Sequence, residues 1–568
     1  MYTLERIKKE IANEINRALK KKVVKASDLT YPPDAKMGDL SLPCFAIAKE
    51  LKKSTAEVAS LIVGKAKAAG MVTATKTVSS YVNFNLRKNE LAKDVIREIE
   101  RKRGEYGENK VGRAKKIILE FSNGNTHKEL HIGHLRNICL GDALTKITRA
   151  NGYQSIPISY VNDFGIHVAK TIWAYLKFYK NETLPENKGY FLGKVYIRAS
   201  QEIEKDPAAK EMVNFIMRKI EARQGEEYKI WQETRQWSID QLAKTCEELG
   251  VSFTKIFYES EVIDSGKQIV KKLLARGILK NSEGAVIADL EKFGLGVLVV
   301  LRSDGTATYP VADLALAQEK FSKFKSDKSI YIVDVRQSLY FKQLFKLLNL
   351  LGYKKEMVHL GYEFVKLPTG MMASRTGNVI TYESLRDKIF ARAQAETKAR
   401  HKDWSEEQVQ AVVKEIALGV MKFEMIKVGA DQVITFDIDK ALSFSGFTAA
   451  YLQYTCARFG SIMRKSEEIK SQSKIDYSLL ADGKENELIM ALAKHPEAVA
   501  RAGAEYNPSE IAKYLFELAQ LANDYYHQVP ILKAEEKVRA VRLALIKAVN
   551  QVLSNGLELL GIGVLKEM

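Results

Sequence analysis

Lys116-Ile-Ile-Leu-Glu-Phe121 runs into Ser122-Asn-Gly-Asn-Thr-His-Lys128 and then, past Glu129 and Leu130, into His131-Ile-Gly-His134. The first piece is a short apolar run of the kind buried strands carry, and the second is a polar loop of turn-forming residues. From about His131 to Ala150 apolar residues recur at helical spacing, and Asn151-Gly152 is a good helix stop. Ser155-Ile-Pro-Ile-Ser-Tyr-Val161 then reads as a second strand. Strand, helix and strand in this order predict an α/β fold with a doubly wound parallel sheet.

The loop sits where the first strand hands over to its helix, the usual place for phosphate in such sheets. Two familiar phosphate cradles are absent. No GxxxxGK[ST] occurs, because Gly64-Lys65, Gly193-Lys194 and Gly266-Lys267 lack the following Ser or Thr, and no GxGxxG follows the first turn. His131 and His134 are three apart on one helical face, so both imidazoles can donate to one phosphate chain. Gly133 between them removes a side chain and lets a flat base approach the backbone. A histidine pair at a helix start also reads as capping or metal-binding residues; the strand-loop-helix setting favours phosphate.

Outward from this unit, the chain has 568 residues, enough for three or four domains at roughly 150 residues each. Residues 1 to about 112 predict a small α+β unit. Leu4, Ile7, Ile11, Ile15 and Leu19 keep helical spacing, and Tyr81-Val-Asn-Phe-Asn-Leu86 alternates as a strand does. The charged run Arg101 to Lys110, with two glycines, reads as a linker. Residues 113–440 hold the sheet, with a helical, charged insertion over about 175–280. Strand-like runs resume at Gly296 to Leu301 and Ser329 to Val333, and residues 441–568 read as all helix. No uninterrupted apolar run approaches the ~18 residues of a membrane span. Cys44, Cys139, Cys246 and Cys456 form no CxxC pair, so neither a zinc site nor a disulfide framework is expected, which fits a reducing cytoplasm. Met1 to Lys22 is basic and amphipathic, but Glu5, Glu10 and Glu14 argue against a transit peptide. Lys plus Arg is 88 against 70 Asp plus Glu, a net +18. That excess suits a polyanionic partner such as nucleic acid, and it suits a merely basic soluble protein too.

Glu120-Phe-Ser-Asn-Gly-Asn-Thr-His-Lys-Glu-Leu-His-Ile-Gly-His-Leu-Arg-Asn137 resembles the HIGH region of class I aminoacyl-tRNA synthetases, and more narrowly that of arginyl-tRNA synthetases. The likeness continues in order. Tyr160-Val-Asn-Asp-Phe-Gly165, Ser303-Asp-Gly-Thr-Ala-Thr-Tyr-Pro-Val-Ala-Asp313 and Val333-Asp-Val-Arg-Gln-Ser-Leu339 are similar to the family's pocket segments. Gly370-Met-Met-Ala-Ser-Arg-Thr-Gly-Asn378 is similar to its KMSKS-type loop, over 370–378. Phe447-Thr-Ala-Ala-Tyr-Leu-Gln-Tyr-Thr-Cys-Ala-Arg458 resembles the opening of its helical anticodon-binding domain.

The resemblance implies a class I Rossmann-like catalytic domain at 113–440, an additional N-terminal tRNA-binding domain at 1–112 and a helical anticodon-binding domain at 441–568. It implies activation of L-arginine by ATP, carrying Mg²⁺, and transfer to the 3′ adenosine of arginine tRNA, by a monomer without membrane contact. No dedicated protein metal site is implied. His131 and His134 would serve catalysis, with Lys128 and Arg375 sharing the pyrophosphate charge. His131, Gly133, His134, Met372 and Ser374 would line the ATP site. Arginine would meet Asn123, Gly124, Asn125, His134, Tyr309, Asp313, Gln337 and a further carboxylate, Glu259, with Glu261 two residues away as the alternative. Tyr81 and Asn83 would touch the tRNA elbow, and Tyr454, Arg458 and Met568 the anticodon. Three positions depart from the family pattern. The KMSKS-type loop has Met371 for its first lysine and lacks the second, for which Lys128 is placed to stand in. Gly124 replaces a frequent proline, and Tyr340 a frequent histidine. Two other readings are a class I enzyme for another amino acid and a silent tRNA-binding relative. The absence of a Cys/His cluster and the Tyr309/Asp313 pair oppose cysteine as substrate, and intact His131 and His134 oppose the silent relative.

Residues 1–112 carry 23 basic and 14 acidic residues, residues 113–440 carry 50 and 41, and residues 441–568 carry 15 and 15. Charge density is therefore highest at the N-terminus and nil overall in the last part. Phosphate attraction scales with the number of cations in contact. Removing residues 1–112 is expected to flatten the slope of log K against log salt for tRNA binding, measured by filter binding; an unchanged slope would refute this assignment.

Overall fold

The computed structural model describes residues 1–65, 70–368, 380–467 and 475–568. Helix Thr3–Leu19 turns Leu4, Ile7, Ile11 and Ile15 inward, as their spacing predicts. It packs on helices Thr55–Lys65 and Lys88–Lys102. Strands Leu40–Pro43 (β1), Val72–Val78 (β2) and Tyr81–Leu86 (β3) form an antiparallel sheet in the order β1-β3-β2. The alternation in β3 buries Val82, Phe84 and Leu86.

The supposed linker is instead a fastened junction. Tyr106 is buried, and its hydroxyl donates to the Leu492 carbonyl at 3.0 Å. That carbonyl needs a donor because Pro496, four residues later in helix Gly483–Ala504, has no N–H to offer it. Tyr2 adds a second rivet: its hydroxyl donates to Glu108 O at 2.7 Å and accepts from Gly107 N–H at 2.9 Å. Along the same helix, Glu497 accepts from Lys8 at 2.8 Å and Tyr31 at 2.6 Å. Val499 O accepts from Asn151 Nδ2 at 3.0 Å. One helix thereby joins the N-terminal sheet unit, the junction and the end of helix Ile132–Ala150.

The central sheet is built from Lys116–Glu120 (β4), Gln154–Val161 (β5) and Lys255–Tyr258 (β6), completed by two later strands. Between them lies a separate antiparallel meander, Lys280–Ser282 (β7), Ala285–Asp289 (β8) and Val297–Leu301 (β9). Lys328–Asp334 (β10) and Glu356–Tyr362 (β11) return to the central sheet, whose order is β11-β10-β4-β5-β6, all parallel. The chain leaves β4 in one direction and comes back on its other side. The order therefore reverses between β4 and β10, which opens a crevice at the carboxyl ends there. Helix Ile132–Ala150 crosses over between β4 and β5. It is buried on nearly every side, because helices Glu406–Ile426 and Gly483–Ala504 cover the face turned from the sheet.

Two expectations need correction. The stretch 175–280 is not helical throughout. Helices Lys188–Ile203, Pro207–Glu221 and Gly225–Glu248 form the insertion, and β6 then joins the catalytic sheet as its edge. Its four residues are too short to show a period. The run at Gly296 to Leu301 belongs to the meander, where alternate residues Leu298 and Val300 are buried and Val297 and Val299 exposed.

Under the sheet, Lys320 donates to Glu120, both buried, and its ammonium lies 3.7 Å from the Tyr331 ring centroid. Breaking one side of such a pair leaves a buried uncompensated charge. Lys320→Met is expected to cost about 3–5 kcal/mol in urea unfolding, and adding Glu120→Gln should recover much of it. A loss under about 1 kcal/mol for the single variant would contradict this.

Candidate active site

His131 is the N-cap of helix Ile132–Ala150. Its Nδ1 accepts from Gly133 N–H at 3.1 Å, and the Nδ1 of His134 accepts from His131 N–H at 3.2 Å. The imidazoles thus form a reciprocal cap, with ring centroids 3.9 Å apart. With each Nδ1 used as acceptor, the proton of the neutral ring sits on Nε2. Burial, with Lys128 nearby, pushes His131 down to about 4 and, with the neighbouring imidazole, His134 well below its ordinary range. At neutral pH both rings are neutral N–H donors at a helix N-terminus. A Cβ on Gly133 would lie 2.9 Å from His131 Cε1. Glycine here makes room for the capping ring itself.

The loop that leads into this helix is pinned to the end of β5. Asn162 N–H donates to Gly124 O at 2.9 Å and Thr126 N–H donates to Asn162 O at 3.0 Å. Ser122 and His127 both adopt the left-handed conformation, with φ of 57° and 62°. His127 is locked between Thr126 and Thr234, and its N–H donates to Ser238 Oγ at 2.9 Å. Asn123 aims a buried, unpartnered Oδ1. Lys128 Nζ lies 5.0 Å from the centroid of Tyr196. Gln337, in the turn Val335–Gln337, is exposed at the carboxyl end of β10.

A second group of side chains gathers at the ends of β5 and β6. Glu259 opens helix Glu259–Ala275, and its Oε2 is buried without a partner. Burial and the neighbouring Asp313 push it up to about 8. Asp313, one turn into helix Tyr309–Phe324, is pushed up to about 7, mainly by burial. Its Oδ2 accepts from the Tyr340 hydroxyl. Tyr160 lies among the same carboxylates, which together with burial hold its hydroxyl well above the usual range. Glu261 is exposed, so Glu259 is the acid on the pocket side. Tyr309 is 69 % exposed and is not the partner of Asp313 in this pocket. Tyr340, marked in the sequence only as a departure, takes that place. Its separation of twenty-seven residues from Asp313 left no local signal.

Met372, Ser374 and Arg375, with the rest of the KMSKS-type loop, lie outside the described residues. Among the described residues no group of three His, Cys, Asp or Glu side chains stands together as a metal site. The four cysteines are free and buried. No helix of the described residues is long and apolar enough to cross a membrane.

Away from the sheet, Tyr81 is 40 % exposed and meets the exposed Phe45 edge-to-face at 5.7 Å. Asn83 requires correction. It shares a face of β3 with Tyr81, opposite Val82, Phe84 and Leu86, but is buried there: its Oδ1 accepts from Ser41, its cross-strand neighbour on β1, at 2.6 Å. Tyr454, Arg458 and Met568 come together with Trp404, Tyr526 and His527 around a groove of about 700 Å³. Arg458 donates to Asn523 at 2.7 Å and to the Tyr454 hydroxyl at 2.9 Å, which holds its plane against the Tyr454 and Tyr526 rings. Tyr525 and Gln453 are buried structural residues.

Residues 96–435 match the family model described as the class I (R) tRNA synthetase catalytic domain. The chain belongs to the arginyl-tRNA synthetase family. Residues 5–86 match the arginyl-tRNA synthetase N-terminal domain, and residues 452–568 the DALR anticodon-binding domain. Among curated arginine–tRNA ligases, that of Bdellovibrio bacteriovorus is 36 % identical over 94 % of this chain and 93 % of its own. That of Clostridioides difficile is 32 % identical over 96 % and 98 %. The solved arginyl-tRNA synthetase of Thermus thermophilus superposes with a TM-score of 0.81 at 28 % identity, covering 99 % of this chain and all of that one. As an arginyl-tRNA synthetase, the chain is a class I aminoacyl-tRNA ligase.

The two raised carboxyls set a pH dependence. In the empty pocket, below about 7 to 8, both hold protons that a guanidinium would displace. Arginine binding is therefore expected to release protons at pH 6 to 7, to strengthen as pH rises through 8, and to level off above. Calorimetry in buffers of different ionisation heat measures this release. A binding heat independent of buffer at pH 6.5 would contradict it.

Proposed function

We propose that the crevice joins L-arginine to ATP as arginyl-adenylate, releasing pyrophosphate, and then esterifies the 3′ terminal adenosine of arginine tRNA. One observation supports this reading: Glu259 and Asp313 lie together with no ion pair to a cation among the described residues, at the carboxyl edge of the sheet whose first crossover helix is headed by the two neutral imidazoles. A planar cation is the ligand such a pocket favours, since it satisfies two carboxylates by paired N–H donors. Tyr340 orients Asp313, and the packing of helix Glu259–Ala275 against helix Tyr309–Phe324 sets the separation.

The main chain of the arginine would lie along the loop Asn123, Gly124 and Asn125, with Gln337 opposite on the far side of β4. Its carboxylate attacks the α-phosphorus of ATP, so no enzyme nucleophile is required. Charge grows on the phosphate oxygens in the transition state. His131 and His134 stabilise it as fixed neutral donors, helped by the helix dipole and by the Lys128 ammonium. Mg²⁺ enters with ATP as part of the substrate. Gly133 serves the ATP side indirectly, by making room for the capping ring of His131. Arg375, Met372 and Ser374 are assigned to the pyrophosphate and ATP side on the sequence likeness alone.

The tRNA would lie across the other two parts, with Tyr81 stacking on an unpaired elbow base and the Tyr454–Arg458–Met568 groove taking anticodon bases. The N-terminal unit, the sheet and the bundle pack against one another through the junction within one chain, and we read the enzyme as a cytoplasmic monomer.

ATP–pyrophosphate exchange with each amino acid, with and without arginine tRNA, tests the reading. Arginine-dependent exchange with tRNA present is expected, and its absence would sink it. Asp313→Ala should raise KM for arginine roughly 30-fold or more, because it removes one partner of a buried charge contact, and change KM for ATP far less. Equal effects on the two constants would contradict the pocket role.

A further inference from the structure

Asp163, just past the end of β5, is fully buried and makes a dense set of contacts. Its Oδ1 accepts from Ser260 N–H at 2.9 Å, and its Oδ2 accepts from the Ser260 hydroxyl at 2.7 Å and from Arg235 Nε. Its carbonyl accepts from Trp231 Nε1 at 2.9 Å. Ser260 is the second residue of helix Glu259–Ala275, whose N-cap Tyr258 supplies no side-chain hydrogen bond. Asp163 therefore caps that helix from the end of another strand, giving an orphan N–H its acceptor and placing a negative charge at the positive pole.

Arg235 comes from insertion helix Gly225–Glu248. Its guanidinium also lies over the Tyr258 ring, 4.3 Å from the centroid. The turn Tyr258–Ser260 is thus gripped on both sides of Glu259, by Arg235 on Tyr258 and by Asp163 on Ser260. Glu259 itself has a buried Oε2 with no hydrogen-bond partner among the described residues, so the backbone of this turn sets where its carboxylate points.

We propose that Asp163 and Arg235 are positioning residues for amino-acid selection: together they clasp the Tyr258–Ser260 turn so that Glu259 meets the guanidinium. This rests on the reading of Glu259 given above. The bonds of Asp163 to Ser260 and Arg235 occupy its carboxylate, so its contacts reach the substrate side through the turn, while its charge adds to the repulsion on Glu259. The same insertion helix gives Thr234 and Ser238 to His127, at 2.8 and 2.9 Å. One helix therefore registers the guanidinium side and the loop before His131 together. Geometric errors of about 1 Å in such a shell cost up to ~100-fold.

The test is arginine-dependent pyrophosphate exchange with tRNA present, on the full chain, for Asp163→Asn, Arg235→Gln, Arg235→Lys, Glu259→Gln and the double variant Arg235→Gln/Glu259→Gln. Asp163→Asn and Arg235→Gln are each expected to raise KM for arginine roughly tenfold, to leave KM for ATP within about twofold, and to weaken discrimination against citrulline, the neutral ureido analogue. Arg235→Lys, which keeps the cation beside Asp163, should restore part of the loss. In the double variant, Arg235→Gln should add little to Glu259→Gln, because both act through one carboxylate. Equal changes in both KM values, or additive losses in the double variant, would overturn the clasp while leaving the role of Glu259 standing. An unchanged KM for arginine in Glu259→Gln would overturn both. Arg235 is only partly buried, so its variants carry the test alone if Asp163→Asn does not fold.

Discussion

The carboxyl edge of the parallel sheet has to manage like charge. Glu120, Asp163, Glu259 and Asp313 all lie at or beside the ends of β4, β5 and β6. In a low-dielectric crevice such acids repel one another and resist ionisation. Two are neutralised from within the protein, Glu120 by Lys320 and Asp163 by Arg235. Glu259 and Asp313 have no such partner among the described residues, and both hold their protons far above the ordinary range. The selective feature is the contrast. Had all four acids been unpaired, the edge would have attracted any cation. Because two are matched by fixed side chains, one place remains where a planar cation relieves the repulsion.

A similar economy governs the imidazoles. A helix N-terminus needs acceptors for its free N–H groups, and His131 and His134 supply them through their own Nδ1 atoms. That structural duty fixes the tautomer, which turns both Nε2 atoms into donors, and burial keeps the rings uncharged. A charged imidazolium at the positive end of a helix would be penalised by the dipole. Capping therefore uses one nitrogen of each ring and leaves the other as a donor.

How much of this the sequence disclosed follows from the range of each interaction. The β4–loop–helix–β5 unit was legible because its signals are local: an apolar run, turn residues, a helical period and a stop at Asn151-Gly152. The family likeness named Asp313 and Glu259, which the structure brings close to each other, but only the structure separates Glu259 from the exposed Glu261. Tyr340 and Arg235 were not legible as pocket parts. Their partners are on other elements, and a tyrosine or an arginine on a helix looks the same whether it faces a buried carboxylate or water. β6 and β11 were missed for different reasons. β6 is too short for any period, and β11 is half-buried throughout, so it shows no clean alternation. Asn83 was misread because parity puts it on the face of Tyr81, and only the neighbouring strand, through Ser41, shows that this part of the face is covered.

The charge balance also changes meaning once it is placed in space. Residues 441–568 are neutral in sum, which by itself points to reading bases mainly by shape, stacking and hydrogen bonds. The groove that holds Tyr454 and Met568 is nevertheless lined by Arg458, Arg464, Lys465 and Lys533, with Glu567 as its acid. A net zero thus conceals a locally basic mouth, because balancing acids lie elsewhere, Glu497 among them, which pairs with Lys8 of the N-terminal unit. Screening confines such a field to about 8–10 Å at physiological ionic strength. The basic mouth would therefore act on a nucleotide already in the groove and contribute little to its approach. The N-terminal unit, with its excess spread over a whole sheet and helix layer, suits the longer-range attraction. Capture and recognition would then fall to different parts of one chain, joined by the helix Gly483–Ala504 that touches both the N-terminal unit and the end of the catalytic helix.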